Sequence, residues 1–151
     1  MLHCERTDSD NKNFQDLVVL LDQDLAVRDG DEHDFYQQFN GIVQLKNVVV
    51  CFDDEKAVGC GAFKPFDDDS VEIKRMFVLP EERGKGIASA VLQELEKWAG
   101  ELGYSNYVLE TGKKQPEAIA LYHKNGYTVI ANYGQYEGVA NSVCMKKTAV
   151  Q

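Results

Sequence analysis

The chain has 151 residues, 44% of them hydrophobic and 27% charged, the size and balance of one soluble globular domain, so residues 1–151 are read as a single unit. Its net charge of −9 repels a phosphate backbone and argues against nucleic acid as a partner. No run is long enough for a transmembrane helix, and Met1-Leu2-His3-Cys4-Glu5-Arg6 lacks the layout of a signal peptide, so a cytoplasmic protein without a membrane partner is expected.

In chain order, Leu2 to Thr7 is a short strand, and Phe14, Leu17, Val18, Leu21 and Leu25 then recur at helical spacing behind a cap at Asp10 or Asn11. A second helix is expected from near Asp31, with Phe35 and Phe39 on one face and Gly41 at its close. Val48–Phe52, Ala57–Lys64 and Ser70–Leu79 read as three strands joined by short turns, which makes them an antiparallel meander. After Pro80 the period changes: Ala88, Val91, Leu92, Leu95, Ala99 and Leu102 form one apolar stripe of a helix closed by Gly103. Tyr107–Leu109 is a buried strand, Pro116 opens a further helix that Gly126 ends, and Tyr127–Ala131 and Ser142–Lys146 are the last strands. The result is a mixed α/β sheet, an antiparallel meander joined to one parallel βαβ crossover, with helices on both faces.

Cys4, Cys51, Cys60 and Cys144 have neither disulfide nor zinc spacing, and His3, His33 and His123 lie far from them in sequence. Reduced, mostly buried thiols and no metal are expected. Acidic residues cluster between Asp22 and Asp34 and at Asp67-Asp68-Asp69. They read first as solvated surface, and second as a field that attracts cationic amines.

The segment with most chemistry is Glu82-Arg83-Gly84-Lys85-Gly86-Ile87-Ala88-Ser89, between a strand and a helix. Two glycines allow close backbone approach, and the helix start offers N–H groups and partial positive charge, which suits a pyrophosphate. Arg83 and Lys85 add local counter-charge, although glycines here also serve as plain turn residues. A Walker loop fails because Lys85 is followed by Gly86 rather than Ser or Thr. A dinucleotide fingerprint fits less badly, with Gly84 and Gly86 matching and Glu110 near the ribose-acid position, but Ser89 stands where its third glycine belongs and one βαβ unit argues against a doubly wound fold.

With these residues in view, the sequence resembles the GNAT superfamily of acetyl-CoA-dependent N-acetyltransferases. Its signature, Arg/Gln-x-x-Gly-x-Gly/Ala, stands here as Arg83-Gly84-Lys85-Gly86-Ile87-Ala88. The flanks Glu72–Pro80 and Gln115-Pro116-Glu117-Ala118-Ile119-Ala120-Leu121-Tyr122 through Gly126-Tyr127 resemble its neighbouring motifs. The resemblance implies acetyl-CoA as co-substrate, its pantetheine arm beside the backbone of Phe77, Val78 and Leu79. Its pyrophosphate would lie on N–H groups from Arg83 to Ser89, that is Arg83, Gly84, Lys85, Gly86, Ile87, Ala88 and Ser89. Gln115 stands where the family often has a cofactor-contacting asparagine, and Tyr122 where a tyrosine serves the departing thiolate.

Glu72, expected on one strand face with Lys74, Met76 and Val78, is either the acceptor's proton acceptor or a surface carboxylate. Tyr122 is alternatively a core tyrosine. His33, Tyr36, Glu110 and Tyr136 are candidates for the acceptor pocket, with Tyr133–Asn141 as a loop over it, and Trp98 reads as a packing residue. The function these readings support is direct acetyl transfer to a primary amine, a small molecule before a protein lysine or N-terminus, compatible with a homodimer. The alternative is a non-catalytic coenzyme-A-binding regulatory module.

Overall fold

Asn11 starts the first helix: its Oδ1 accepts a hydrogen bond from the Phe14 N–H at 3.0 Å. In the computed structural model, which describes residues 1–29 and 44–149, this helix is α1 (Lys12–Asp29) and follows strand β1 (Leu2–Thr7). The chain then runs through β2 (Asn47–Asp53), β3 (Lys56–Pro65), β4 (Ser70–Val78), α2 (Ile87–Glu101), β5 (Asn106–Gly112), α3 (Pro116–Lys124), β6 (Thr128–Ile130) and β7 (Ser142–Thr148). The helix expected from Asp31, with Phe35 and Phe39, lies outside the described residues, and so do His33 and Tyr36.

The strands form one seven-stranded sheet in the order β1-β2-β3-β4-β5-β7-β6. Every pairing is antiparallel except β4 with β5, the product of the single crossover through α2. That parallel pairing is short. Ser70, Val71 and Glu72 pair with Asn106, Tyr107 and Val108, and the register stops there, while β5 pairs with β7 as far as Gly112. Residues 73–78 of β4 therefore present an open strand edge in the middle of the sheet.

One extra residue in β4 decides which way its side chains point. Ala62 pairs with Lys74 but Cys60 pairs with Phe77, so a bulge lies at Arg75, whose φ is +60°. The bulge corrects the expected face: Glu72 and Lys74 share it with Phe77, whereas Val78 opposes Gly59 on the other side. Arg75 is held in this left-handed backbone by a 2.7 Å ion pair to Asp22 of α1.

Helix α2 covers the face to which Gly59, Gly61 and Phe63 point. A Cβ on Gly61 would meet Met76 Sδ at 2.5 Å and Val91 Cγ1 at 2.8 Å. Glycine here is a requirement of close packing between helix and sheet. Ile87, Val91, Leu92, Leu95 and Ala99 are buried against the strands. Leu102 is 54% exposed, a correction to the expected stripe, because the helix ends at Glu101 before the turn at Gly103. Trp98 packs edge-on against Phe63 at 5.7 Å and beneath the Arg6 guanidinium at 5.1 Å, as a packing residue should. Helix α1 buries Phe14, Leu17 and Leu21, and its Leu21 and Leu25 share a cavity lining with Glu72 and Lys74 on the opposite face of the sheet. Cys51, Cys60 and Cys144 are buried free thiols and Cys4 is half-buried.

Candidate active site

The parting of β4 from β5 opens a cleft of about 340 Å³. One wall is Met76, Phe77 and Val78, the floor is Gly84, Gly86, Ile87, Ala88 and Ser89, and the far wall is Gln115, Ala118, Leu121 and Tyr122 of α3.

The glycine turn has the conformation its sequence demands. Gly84 and Gly86 have φ of +83° and +81°, values that other residues rarely adopt, and a Cβ on either would touch nothing within 4 Å. Backbone geometry, not crowding, selects glycine here. Gly86 is the N-cap of α2, and no side chain caps that end. The first intrahelical bond is Ala90 N–H to Gly86 O at 3.0 Å, so the N–H groups of the first turn carry the helix's positive end toward the cleft. Ser89 accepts a 3.1 Å bond from Asn125 Nδ2, which ties the start of α2 to the end of α3.

On the β4 wall the backbone alternates. Phe77 is paired with Cys60, and Leu79 N–H donates to Val58 O at 3.0 Å. Both belong to the β3 ladder, and Leu79 does not line the cleft. Val78 lies between them, so its N–H and C=O face the open edge. Its carbonyl accepts a 3.2 Å bond from Arg83 Nε, and the guanidinium stands 5.8 Å from the centre of the Phe77 ring. Lys85 forms a 2.8 Å ion pair with Glu82 and is not a lining residue, so its charge is partly answered at the loop.

A second, more polar cavity of about 120 Å³ adjoins the cleft and shares Leu21, Met76, Gln115, Ala118 and Tyr122 with it. Its charged lining is Glu72, Lys74, Arg75 and Glu110, with Thr111 and Tyr136 alongside. Tyr122, at the junction, is 7% exposed. Burial first, and the Glu110 charge second, push its hydroxyl above the usual tyrosine range, so it keeps its proton at neutral pH.

Glu72 is 3% exposed, so it is not a surface carboxylate. Its Oε2 accepts a 2.7 Å bond from Tyr133 OH, and Lys64 and Lys74 stand 3.7 and 3.9 Å from Oε1. Tyr133 packs between Phe66 and Tyr136 at 4.9 and 5.9 Å, and this aromatic row carries Tyr136 into the cavity. The sequence reading therefore brings Tyr122, Glu72, Glu110, Gln115 and Tyr136 to one place. It placed Tyr133 in a loop over the site but missed its bond to Glu72, and it missed Arg75, Lys74 as a lining residue, and Leu21. Period-two alternation from Glu72 does point to Lys74, but nothing in the sequence ties Tyr133 to a residue 61 positions away.

Comparison with known proteins gives a consistent result. The model of the acetyltransferase (GNAT) family matches residues 14–127. An IAA acetyltransferase of Azospirillum brasilense is 33% identical over 142 residues, covering 89% of this chain and 92% of that protein. A crystal structure from Klebsiella pneumoniae, classed with the acyl-CoA N-acyltransferases, superposes with a TM-score of 0.81 at 27% identity and covers 99% of both chains. A GNAT family acetyltransferase from Elizabethkingia anophelis with acetyl-CoA bound has the same fold, with a TM-score of 0.70 at 16% identity over 97% of each chain.

Proposed function

The chain belongs to the acetyltransferase (GNAT) family, and from that premise we propose that it moves the acetyl group of acetyl-CoA directly to the primary amine of a small molecule. The observation that carries this reading is the open β4 edge feeding the Gly84–Gly86 turn, with buried Tyr122 at the junction of two cavities.

The residues divide the work by position. N–H groups of the turn and of the first turn of α2 hold the pyrophosphate, with Arg83 beside them. The pantetheine arm lies along the β4 edge at Val78 and extends the sheet as an added strand would. When the amine nitrogen attacks the thioester carbon, the N–C bond forms and the C–S bond breaks. The carbonyl oxygen gathers charge that the Val78 N–H can meet. Tyr122 gives its proton to the departing thiolate, and the amine's proton leaves toward Glu72, directly or through water. None of the four cysteines lines either cavity, which supports direct transfer in a ternary complex over a covalent enzyme intermediate. The small volume of the second cavity, about 120 Å³, favours a small molecule over a protein chain as acceptor. A cytoplasmic location belongs to the same reading; no described helix is long and apolar enough to cross a membrane.

The test is calorimetric titration with acetyl-CoA followed by a thiol-release screen over amine classes. Binding with release on one class upholds the reading. Binding without any turnover, across that screen, would replace it with a coenzyme-A-binding regulatory module.

A further inference from the structure

The second cavity is bipolar, and its charges are not equally satisfied. Arg75 is matched by Asp22 at 2.7 Å. Glu72 accepts a hydrogen bond from Tyr133 and faces Lys64 across 3.7 Å. Lys74 is different. Its side chain is 12% exposed and lines the cavity, and among the described residues Glu72 is the one carboxylate within 4.0 Å, at 3.9 Å. That separation is attraction without a hydrogen bond. Lys74 lines the cavity and, among the described residues, its ammonium makes no hydrogen bond, in a place where a desolvated cation gains from an anionic partner. Burial lowers the Lys74 pKa, as expected for a cation incompletely compensated there. Glu110, also in the lining, acts by its charge on Lys74 as well as on Tyr122 and Tyr136, so both signs of charge stand close together in this one cavity.

Resting on the proposed acetyl transfer, we infer that the acceptor is zwitterionic, a small amino acid whose carboxylate pairs with Lys74 while its amino group lies beside Glu110 and Tyr122. The two signs of charge in the lining match the two ends of such a molecule. A polyamine would instead bring further positive charge against Lys74 and Arg75, an arrangement that costs affinity. An aminoalkyl phosphonate offers the same anionic end in a bulkier form, and the test separates the two.

The experiment compares kcat/KM for free amino acids, their uncharged carboxamides, aminoalkyl phosphonates and spermidine, with saturating acetyl-CoA, in the wild type, Lys74→Met and Lys74→Arg. Melting temperature and acetyl-CoA affinity are read in parallel to show that each variant is folded. The wild type should prefer an amino acid to its carboxamide by ~10- to 100-fold, the range for a hydrogen bond to a charged group. That ratio should fall toward one in Lys74→Met and be largely kept in Lys74→Arg. A preference for phosphonates would overturn the carboxylate assignment. A preference for carboxamides or spermidine, or a Lys74→Met variant that slows acid and amide alike, would overturn the inference. Calorimetry of amino acids on the CoA-loaded protein separates this from failure of catalysis. Amino acid binding that Lys74→Met abolishes, without thiol release in the wild type, upholds the acceptor class and overturns the transfer reaction. No amino acid binding at all overturns the acceptor class.

Discussion

Replacing Gly61 by alanine should damage both stability and cofactor binding, and the structure gives the size of each effect. The new Cβ would lie 2.5 Å from Met76 Sδ, 2.8 Å from Val91 Cγ1 and 3.0 Å from Leu95 Cδ1, all closer than carbon and sulfur tolerate. Alanine alone would restrict the unfolded chain and add up to ~1 kcal/mol of stability. Overpacking of a filled core costs ~1–3 kcal/mol and outweighs that gain. At ~2–4 °C per kcal/mol for a chain of this size, a net loss of ~1–2 kcal/mol should lower the melting temperature by ~2–8 °C. Met76 is the adaptable neighbour and lines both cavities, so its displacement should also weaken acetyl-CoA binding. Gly100 is the internal control: it lies in α2, and a Cβ there meets nothing within 4 Å. Gly100→Ala should raise stability by ~0.5–1 kcal/mol. Differential scanning calorimetry and acetyl-CoA titration of both variants read the result. If Gly61→Ala melted and bound as the wild type does, the close seating of α2 on β3 would be wrong.

Tyr122→Phe should lower kcat by ~100-fold or more, the contribution of a positioned general acid, while acetyl-CoA affinity measured by titration stays within a few-fold. Because burial holds the Tyr122 hydroxyl above its ordinary value of 10.0, it stays protonated at lower pH, and the kcat profile of the wild type should show no alkaline limb from this group below that value. Gly84→Ala forces a side chain into φ of +83°, which costs ~1–2 kcal/mol, and should raise the acetyl-CoA Kd by ~5- to 30-fold. Tyr133→Phe removes the 2.7 Å donor from buried Glu72 and should lose ~1–3 kcal/mol in urea unfolding; an unchanged midpoint would mean Glu72 does not need that bond. The folded pKa of Lys74 lies below the unfolded value of 10.5, so between the two the unfolded chain binds more protons. Wild-type stability should therefore rise with pH across that window relative to Lys74→Met, read by denaturant midpoints at successive pH values.

Much of the chemistry was written locally. Phosphate recognition needs only a left-handed turn and a fresh helix start, and both are spelled by consecutive residues, Arg83 to Ser89. Among the described residues the element order was equally legible, since hydrophobic periods and glycine or proline stops act within a few residues of one another. Tyr122 was singled out by the resemblance of Gln115–Tyr122 to a family motif, in a helix that Pro116 opens and Gly126 ends.

What tertiary structure decided depends on contacts between segments far apart in the chain. A one-residue bulge at Arg75 reset the faces of β4, because side-chain direction has a period of two and a single insertion inverts everything after it. No local signal announced that bulge; it is stabilised by Asp22, on a helix some 50 positions earlier. Glu72 could be read from sequence as the acceptor's proton acceptor or as a surface carboxylate, and its burial beneath Tyr133 and two lysines appears only in the folded chain. The charge balance around Lys74 was set in the same way, by which side chains the sheet and α1 happen to enclose together. Sequence by itself determined the described elements, their order and the glycine turn proposed to hold the pyrophosphate, since these follow from neighbours along the chain. The pocket that would hold the acceptor was decided by packing, because its walls come from β4, β5, α1, α3 and the Tyr136 loop, which meet only once the chain is folded.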